Sequence, residues 1–283
     1  MRRGTWGIWL LTVVVLAPVA ASLLYALLYS FGVTGLMAGG PTWKHWIEAL
    51  TVAETWSSIG LSLGIASAVT VGAAVFGLGL ALWLGERLDA GALALAVHVP
   101  LALPATVCAL SVWSLFSGTG LAWRLLQHGG LLGRLDGSLS LVQDPWGLGI
   151  IVAHLMTMAP FLALTFRGLY RHERIEELRG IAASLGAGAG QQVTRVAIPI
   201  LLWRASSTLA LLFVVSLGSY EIPLLLGRQS PQMLSVVVMR KYTRFDLLEK
   251  PTAMVISLLY TGLVAAILGL TLSRRGGLEE RGP

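Results

Sequence analysis

Residues 57–84 read SSIGLSLGIASAVTVGAAVFGLGLALWL, an uninterrupted run without a charged side chain. A helix needs about 20 apolar residues to cross the ~30 Å hydrocarbon core of a bilayer, and this run is longer than that. Five further stretches meet the same criterion, namely residues 6–31, 90–116, 148–166, 200–219 and 251–272. Arg204 is the single formal charge in the six windows, and its long stem can carry the guanidinium to the membrane interface. The sequence therefore predicts an all-α integral membrane protein with six transmembrane helices in a single domain, residues 1–283.

The composition excludes a soluble protein. Of the 283 residues, 55% are hydrophobic and only 12% are charged, whereas ordinary soluble domains carry roughly 25% charged residues. The mean hydropathy is +0.77. A single cysteine, Cys108, excludes an intrachain disulfide framework and a cysteine metal cluster. The net charge is +6. In a membrane protein, an excess of basic residues reflects the orientation of the chain in the bilayer more often than nucleic-acid binding.

Six spans place both chain termini on the same side of the membrane. If that side is the cytoplasm, the inner segments hold twelve of the 20 Lys and Arg residues and the outer segments hold eight. This bias has the direction of the positive-inside rule. The first apolar run continues from Trp6 to Phe31, which is longer than the core of a signal peptide, about 7 to 15 residues. We therefore expect cytoplasmic termini and an uncleaved first helix.

The second span carries a packing signal. Small residues recur in it every four positions, at Gly60, Gly64, Ala68 and Gly72. Such spacing lines one helix face with small side chains and lets another helix approach closely. We therefore expect this span to pack closely against another helix.

The third and fourth spans contain residues that perturb a plain apolar helix. Pro100 and Pro104 free backbone carbonyls and permit kinks in the third span. His154 and Met158 share one face of the fourth span. A buried histidine bonded to a neighbouring helix explains this pair better than a soft-metal site, because no second His or Cys stands at ligand spacing. We expect no bound metal and no catalytic residue.

Residues 171–199 connect the fourth and fifth spans and are named the interspan segment. Their composition differs from that of the other connections. The segment begins with a charged stretch, through which apolar residues recur at helical spacing, at Ile175, Leu178, Ala182 and Leu185. This pattern predicts a short amphipathic helix. Alternate glycines follow, at Gly186, Gly188 and Gly190, and should end the helix, because glycine is costly inside helices and permits left-handed turns. Such a helix suits docking in a groove of another protein; the alternative is a loop that lies on the membrane surface.

The residues from Ile181 to Ala187, with Pro199 beyond them, resemble the EAA signature of membrane subunits of binding-protein-dependent ATP-binding-cassette (ABC) importers, the MetI-like type I permeases. In that signature a Glu-Ala-Ala triplet precedes a glycine, and a proline follows thirteen residues later. Gly186 and Pro199 have the same separation. The family's glutamate falls on Gly180 and its first alanine on Ile181. The resemblance extends over the rest of the chain, which has the same total of six spans.

The resemblance implies a MetI-like type I permease fold in the bacterial cytoplasmic (inner) membrane, with a cytoplasmic coupling helix that docks on an ATPase dimer. The residues expected to carry this coupling are Glu177, Arg179, Ala182, Ala183, Leu185, Gly186 and Pro199. The sequence lacks a GxxxxGK[ST] motif, so the ATP would be used by the partner subunit, and this chain would be a transport subunit without a cofactor rather than an enzyme. The other implied partners are a second permease, identical or paralogous, and an extracytoplasmic solute-binding protein.

The region after the fifth span resembles the polyamine, ferric-iron and thiamine branch of that family. Tyr220 and Glu221 lie near membrane depth, before Pro223, and an intramembrane carboxylate is by default a candidate functional group. These two residues would line the solute path and favour a cationic solute. The alternative is that Glu221 lies in an outer aqueous vestibule or pairs with Arg228. The outer segment also holds several cations that would suit an anion or an acidic docking surface, at Arg228, Arg240, Lys241, Arg244 and Lys250.

Two other function classes compete with an importer permease. An ion-coupled secondary transporter usually shows paired broken helices and an internal repeat, neither of which is clear in the sequence. An integral-membrane enzyme usually clusters His, Asp or Glu at span ends, whereas the five histidines of this chain are scattered.

Overall fold

The computed structural model describes residues 3–35, 39–129 and 140–279, with side chains from 12 to 271 and at 273. Every regular element in these ranges is helical, which confirms the predicted all-α class. The α-helices are α1 (Arg3–Ser30), α2 (Lys44–Thr51), α3 (Ala53–Leu84), α4 (Gly91–His98), α5 (Ala105–Phe116), α6 (Leu121–His128), α7 (Leu148–His172), α8 (Ile175–Ser184), α9 (Ala189–Gln191), α10 (Ile198–Arg204), α11 (Ser206–Leu217), α12 (Glu221–Leu226), α13 (Leu234–Thr243) and α14 (Glu249–Glu279). Short 3₁₀ helices cover Gly85–Leu88 and Val99–Ala102, and a π-helix covers Gln192–Ala197.

Among the described residues, five helical stretches are long and apolar enough to cross a membrane. A bent pair of helices raises the number to six if the pair counts as one span. The five are Thr12–Ser30, Ala53–Leu88, Ala105–His128, Leu148–His172 and Glu249–Thr271, and the bent pair is Ala189–Arg204 with Ser206–Leu217. These numbers agree with the six predicted spans. The cytoplasmic location of the termini stays a prediction, and Arg2 and Arg281, which contribute to the charge bias, lie outside the described residues.

The predicted third span, residues 90–116, is not one helix. The shorter apolar stretch Gly91–Ala102 ends at Leu103, whose backbone is extended (φ −79°, ψ 129°). A new helix, α5, starts after Pro104. The cause is local: the ring of a proline disfavours the helical conformation of the residue before it. Pro104 therefore breaks the span rather than bending it, whereas Pro100 lies within the 3₁₀ helix Val99–Ala102.

The predicted fifth span, residues 200–219, also differs from a straight helix. Helices α10 and α11 meet at Ala205 with a bend of 58° between the two stretches. Arg204 Nε lies 2.9 Å from a carboxylate oxygen of Glu173, and its location at the membrane interface stays a prediction. The bend therefore lies beside an ion pair between α10 and the end of α7.

Contacts divide the chain into two compact units, residues 1–59 with 234–266 and residues 60–233 with 267–283. In the first unit, α2, α13 and α14 supply a small buried core, made of Ala49, Leu234, Val237, Val255 and Ile256. The single permease domain stays a prediction.

The second unit has the larger core, in which α5, α7 and α12 pack against each other and to which α3 also contributes buried residues. Its largest fully buried side chains include Phe166, Leu162, Leu201 and Val112. His154 is buried among them, with its Nδ1 2.8 Å from the Ile150 carbonyl oxygen. Nδ1 therefore bonds within α7 and not, as was expected, to a neighbouring helix.

Of the three glycines in the small-residue stripe of α3, only the last one lies close to another helix. A Cβ atom placed on Gly60 or Gly64 would meet nothing within 4 Å, whereas one on Gly72 would lie 3.2 Å from a Leu155 methyl group. The tightest approach occurs outside the predicted stripe, at Gly77, where a Cβ would lie 2.7 Å from the Leu162 Cβ. Helices α3 and α7 therefore pack closely, but at a register that the four-residue spacing did not predict.

Candidate functional site: the interspan segment and α12

The short helix predicted in the interspan segment is α8, Ile175–Ser184. It begins after Arg174, which has a left-handed backbone (φ 51°), a conformation that non-glycine residues rarely adopt. The charged stretch before it, Arg171 to Glu173, belongs to the end of α7 and its cap. A sharp two-residue joint therefore connects α7 to α8.

The end of α8 is a Schellman motif. The N–H of Gly186 donates to the carbonyl of Ala183 at 2.9 Å, and the N–H of Ala187 donates to the carbonyl of Ala182 at 3.0 Å. Gly186 has φ +88°, a left-handed conformation in which glycine avoids the steric cost of a Cβ atom. The predicted glycine break therefore has a specific position and a specific cause.

The predicted apolar stripe of α8 does not form one buried face. Ile175 is fully buried and Ala182 is half-buried, but Leu178 is exposed and Leu185 is 83% exposed. Ile181 is exposed as well. Ile175, Arg179 and Ala182 recur at i, i+4 and i+7, so they form the inward face of the helix. The outward face carries large apolar side chains, which are costly to leave in water.

Charged side chains at the start of α8 pair with each other and with the end of α7. Arg174 Nε lies 3.3 Å from Glu177 Oε1, and Arg179 Nη1 donates to the Tyr170 hydroxyl at 2.8 Å. The same hydroxyl donates to Glu176. The hydrogen bond to Tyr170 raises the pKa of Arg179, so its guanidinium stays charged. Glu177 and Arg179 are thus both occupied by partners within the chain.

A cleft of about 590 Å³ lies between α8, the end of α7 and the 3₁₀ turn after α3. Its lining is strongly charged, with Glu86, Arg167, Arg171, Arg174, Glu176, Glu177 and Arg179. On its far side Asp89 Oδ2 accepts hydrogen bonds from Arg167 and Arg171. The sequence pattern did not identify Asp89, because it lies 78 positions from Arg167 and carries no local motif.

The last predicted coupling residue, Pro199, lies at the start of α10, directly after the π-helix Gln192–Ala197. Its missing N–H costs least in the first turn of a helix. The chain therefore returns to a helix after the glycines, in a wider form than an α-helix. Pro199 is exposed, and so are Ala183 and Gly186. A Cβ atom at Gly180, where the family has its glutamate, would meet nothing within 4 Å.

The two candidate path residues lie at the start of α12, which packs against α5 and α7. Glu221 is exposed and Tyr220 is half-buried. In the part of the chain that the structure describes, Glu221 makes no ion pair with Arg228 or with another cation. This argues against the predicted alternative of an internal pair.

Most of the outer cations are engaged within the first unit. Glu54 pairs with both Arg240 and Lys241, and Arg244 lies 2.8 Å from Glu249. Lys250 lies over the ring of Tyr242 at 5.6 Å. Three of the five cations are therefore paired with carboxylates, and a fourth lies on an aromatic ring.

No family model and no curated protein matches the sequence. Two solved structures do match its fold. One is a bacterial ABC transporter involved in the import of the acidic polysaccharide alginate, with 16% identity, a TM-score of 0.65 and coverage of 96% of this chain and 99% of that chain. The other is a bacterial alginate ABC transporter in complex with an alginate pentasaccharide-bound periplasmic protein, with 18% identity, a TM-score of 0.67 and coverage of 94% of both chains. The chain therefore has the fold of an ABC transporter permease.

Proposed function

We propose that this chain is the transmembrane permease subunit of an ABC importer, powered by a separate ATPase dimer. The observation that carries the proposal is the fold, which matches chains of ABC transporters over almost their whole length and over almost the whole of this chain. The termini and the interspan segment would face the cytoplasm of a bacterial inner membrane.

The surface of α8 supports the proposed docking on the ATPase. Leu178, Ile181 and Leu185 are exposed and apolar, whereas most residues of a helix that faces water are polar. An exposed apolar cluster with charged neighbours is typical of a protein interface. Helix α8 is short and is bounded by left-handed residues, Arg174 and Gly186, so it would move as one body when the ATPase dimer closes.

Isolation of the tagged chain from the cells that encode it tests this proposal. We expect an ATPase to co-purify, and we expect Leu185→Lys to reduce its recovery because a cation replaces an apolar contact. Leu248→Lys is the matched control, since Leu248 is also exposed and apolar but lies in the turn between α13 and α14. Recovery of no ATPase with the unmodified chain, or equal recovery with both variants, would contradict the docking proposal.

An uptake experiment separates the importer from the secondary transporter. Uptake should stop when ATP is depleted while the proton gradient is maintained, because the energy would come from ATP. Continued uptake under these conditions would favour an ion-coupled transporter. A second permease copy or paralogue and an extracytoplasmic binding protein should also be recovered with the complex.

For the solute we propose a small cation of the polyamine, ferric-iron or thiamine class. The support is the exposed carboxylate of Glu221, which has no internal cation partner among the described residues. Thermal-shift measurements on the co-purified binding protein test this with spermidine, thiamine, ferric iron and alginate oligosaccharide. Stabilisation by the oligosaccharide alone would overturn the cation proposal and leave the importer proposal intact.

A further inference from the structure

The turn between α3 and α4 is tied to the end of α7 by ion pairs. Asp89 follows the 3₁₀ turn Gly85–Leu88, and its Oδ2 accepts hydrogen bonds from Arg167 Nε at 3.3 Å and Nη2 at 3.2 Å. The same oxygen also accepts a hydrogen bond from Arg171 Nη2. Arg167 and Arg171 are four residues apart, so both project from one face of the last turns of α7. One carboxylate thus joins two helical elements that are distant in sequence.

Arg167 depends on this carboxylate. Its side chain is 10% exposed, and a nearly buried cation is costly unless an anion pairs with it. The nearest alternative is Glu86, whose Oε1 lies 3.9 Å away and whose side chain is 92% exposed. A long, solvated pair of this kind contributes little. Asp89 is therefore the principal counterion of Arg167.

The ion pairs lie next to the joint from which α8 starts. Arg171 is followed by two residues, His172 and Glu173, and then by the left-handed Arg174. A displacement of α8 acts first on the end of α7, because the joint is short. The pairs with Asp89 connect that end to the turn that closes α3.

We propose that Asp89 is a positioning residue for coupling, which makes the α3–α4 turn move together with the end of α7 when α8 is displaced. This inference rests on the proposed function, since it requires a partner that moves α8. A merely structural role is the competing explanation, in which Asp89 only neutralises the buried Arg167. The two explanations differ in what happens when both charges are removed together.

The test uses membrane vesicles that contain the full complex, with Leu224→Cys as a reporter of access from outside, because Leu224 is exposed on α12 and is not part of the proposed solute site. The chain has a single native cysteine, Cys108, and it is buried, so an impermeant maleimide reports on the introduced thiol. Trapping the ATPase with ATP and vanadate should change the labelling rate of this parent. The variants added to it are Asp89→Asn, the double variant Asp89→Asn with Arg167→Met, and Glu86→Gln as the matched control.

We expect Asp89→Asn to lower the thermal stability of the complex and to reduce the ATP-dependent change in labelling about fivefold, within the range for residues that couple two sites. The double variant should regain stability, because no unpaired cation remains buried, yet keep the reduced labelling response. Glu86→Gln should resemble the parent. Recovery of the response in the double variant, or a normal response in Asp89→Asn, would overturn the positioning role. A parent with no ATPase and no nucleotide response would instead refute the proposed function, and this inference with it.

Discussion

Replacement of Gly186 by alanine isolates the conformational requirement at the end of α8. The substituted Cβ would meet nothing within 4 Å, so no steric contact with a neighbour opposes it. The backbone is the obstacle, because φ is +88° and a Cβ atom in the left-handed region costs roughly 1–2 kcal/mol. The loss should appear in the two capping hydrogen bonds, from Gly186 to Ala183 and from Ala187 to Ala182.

Gly188 provides the matched control within the same segment. A Cβ atom there would also meet nothing within 4 Å, but its backbone is extended, with φ −66° and ψ 160°. Alanine is allowed in that conformation, so no backbone strain is expected. Both variants therefore place the same side chain in open space, but only Gly186→Ala places it in the left-handed region.

Hydrogen exchange at the capping amides is the appropriate assay, because local opening exposes these groups without unfolding the membrane helices. A destabilisation of about 1–2 kcal/mol predicts exchange faster by about 5- to 30-fold in Gly186→Ala. Gly188→Ala should exchange no faster than the unmodified chain. Gly186→Asn should fall between, since asparagine tolerates the left-handed region. Equal exchange in both alanine variants would refute the left-handed cap as the reason for glycine.

Two other variants probe the second unit. Gly77→Ala should destabilise the protein by about 1–3 kcal/mol, because its Cβ would lie 2.7 Å from the Leu162 Cβ and overpacking forces the backbone to shift. Gly79→Ala is the control and should not destabilise the protein, because its Cβ would meet nothing within 4 Å. Equal melting temperatures for the two variants would contradict the close α3–α7 packing. Tyr170→Phe removes the hydroxyl that accepts from Arg179 at 2.8 Å and should cost about 1 kcal/mol. Thermal unfolding checks it, and an unchanged melting temperature would show that this hydrogen bond does not stabilise α8.

The sequence was sufficient for features that depend on neighbouring residues. The absence of charge over membrane-spanning lengths predicted the helical class, since a bilayer leaves the backbone no other way to satisfy its hydrogen bonds within a single segment. The glycine at position 186 predicted the end of α8, because the left-handed cap is a local conformation. The prolines of the third span signalled a distortion, although not its extent at Leu103.

Features that depend on distant partners were not predictable from local patterns. The bend at Ala205 has no proline within it, and it accompanies an ion pair between Arg204 and Glu173. Asp89 gained its importance only when folding brought Arg167 beside it. Periodicity in α8 correctly predicted a helix with an apolar stripe, but hydrophobic spacing does not say whether a residue such as Leu185 is covered by the same chain or by another one. Helix α8 leaves apolar residues exposed, and left-handed residues define both of its ends. Such a helix is suited to bind a partner. The docking experiment on Leu185 therefore tests whether a partner covers the part of the apolar stripe that this chain leaves exposed.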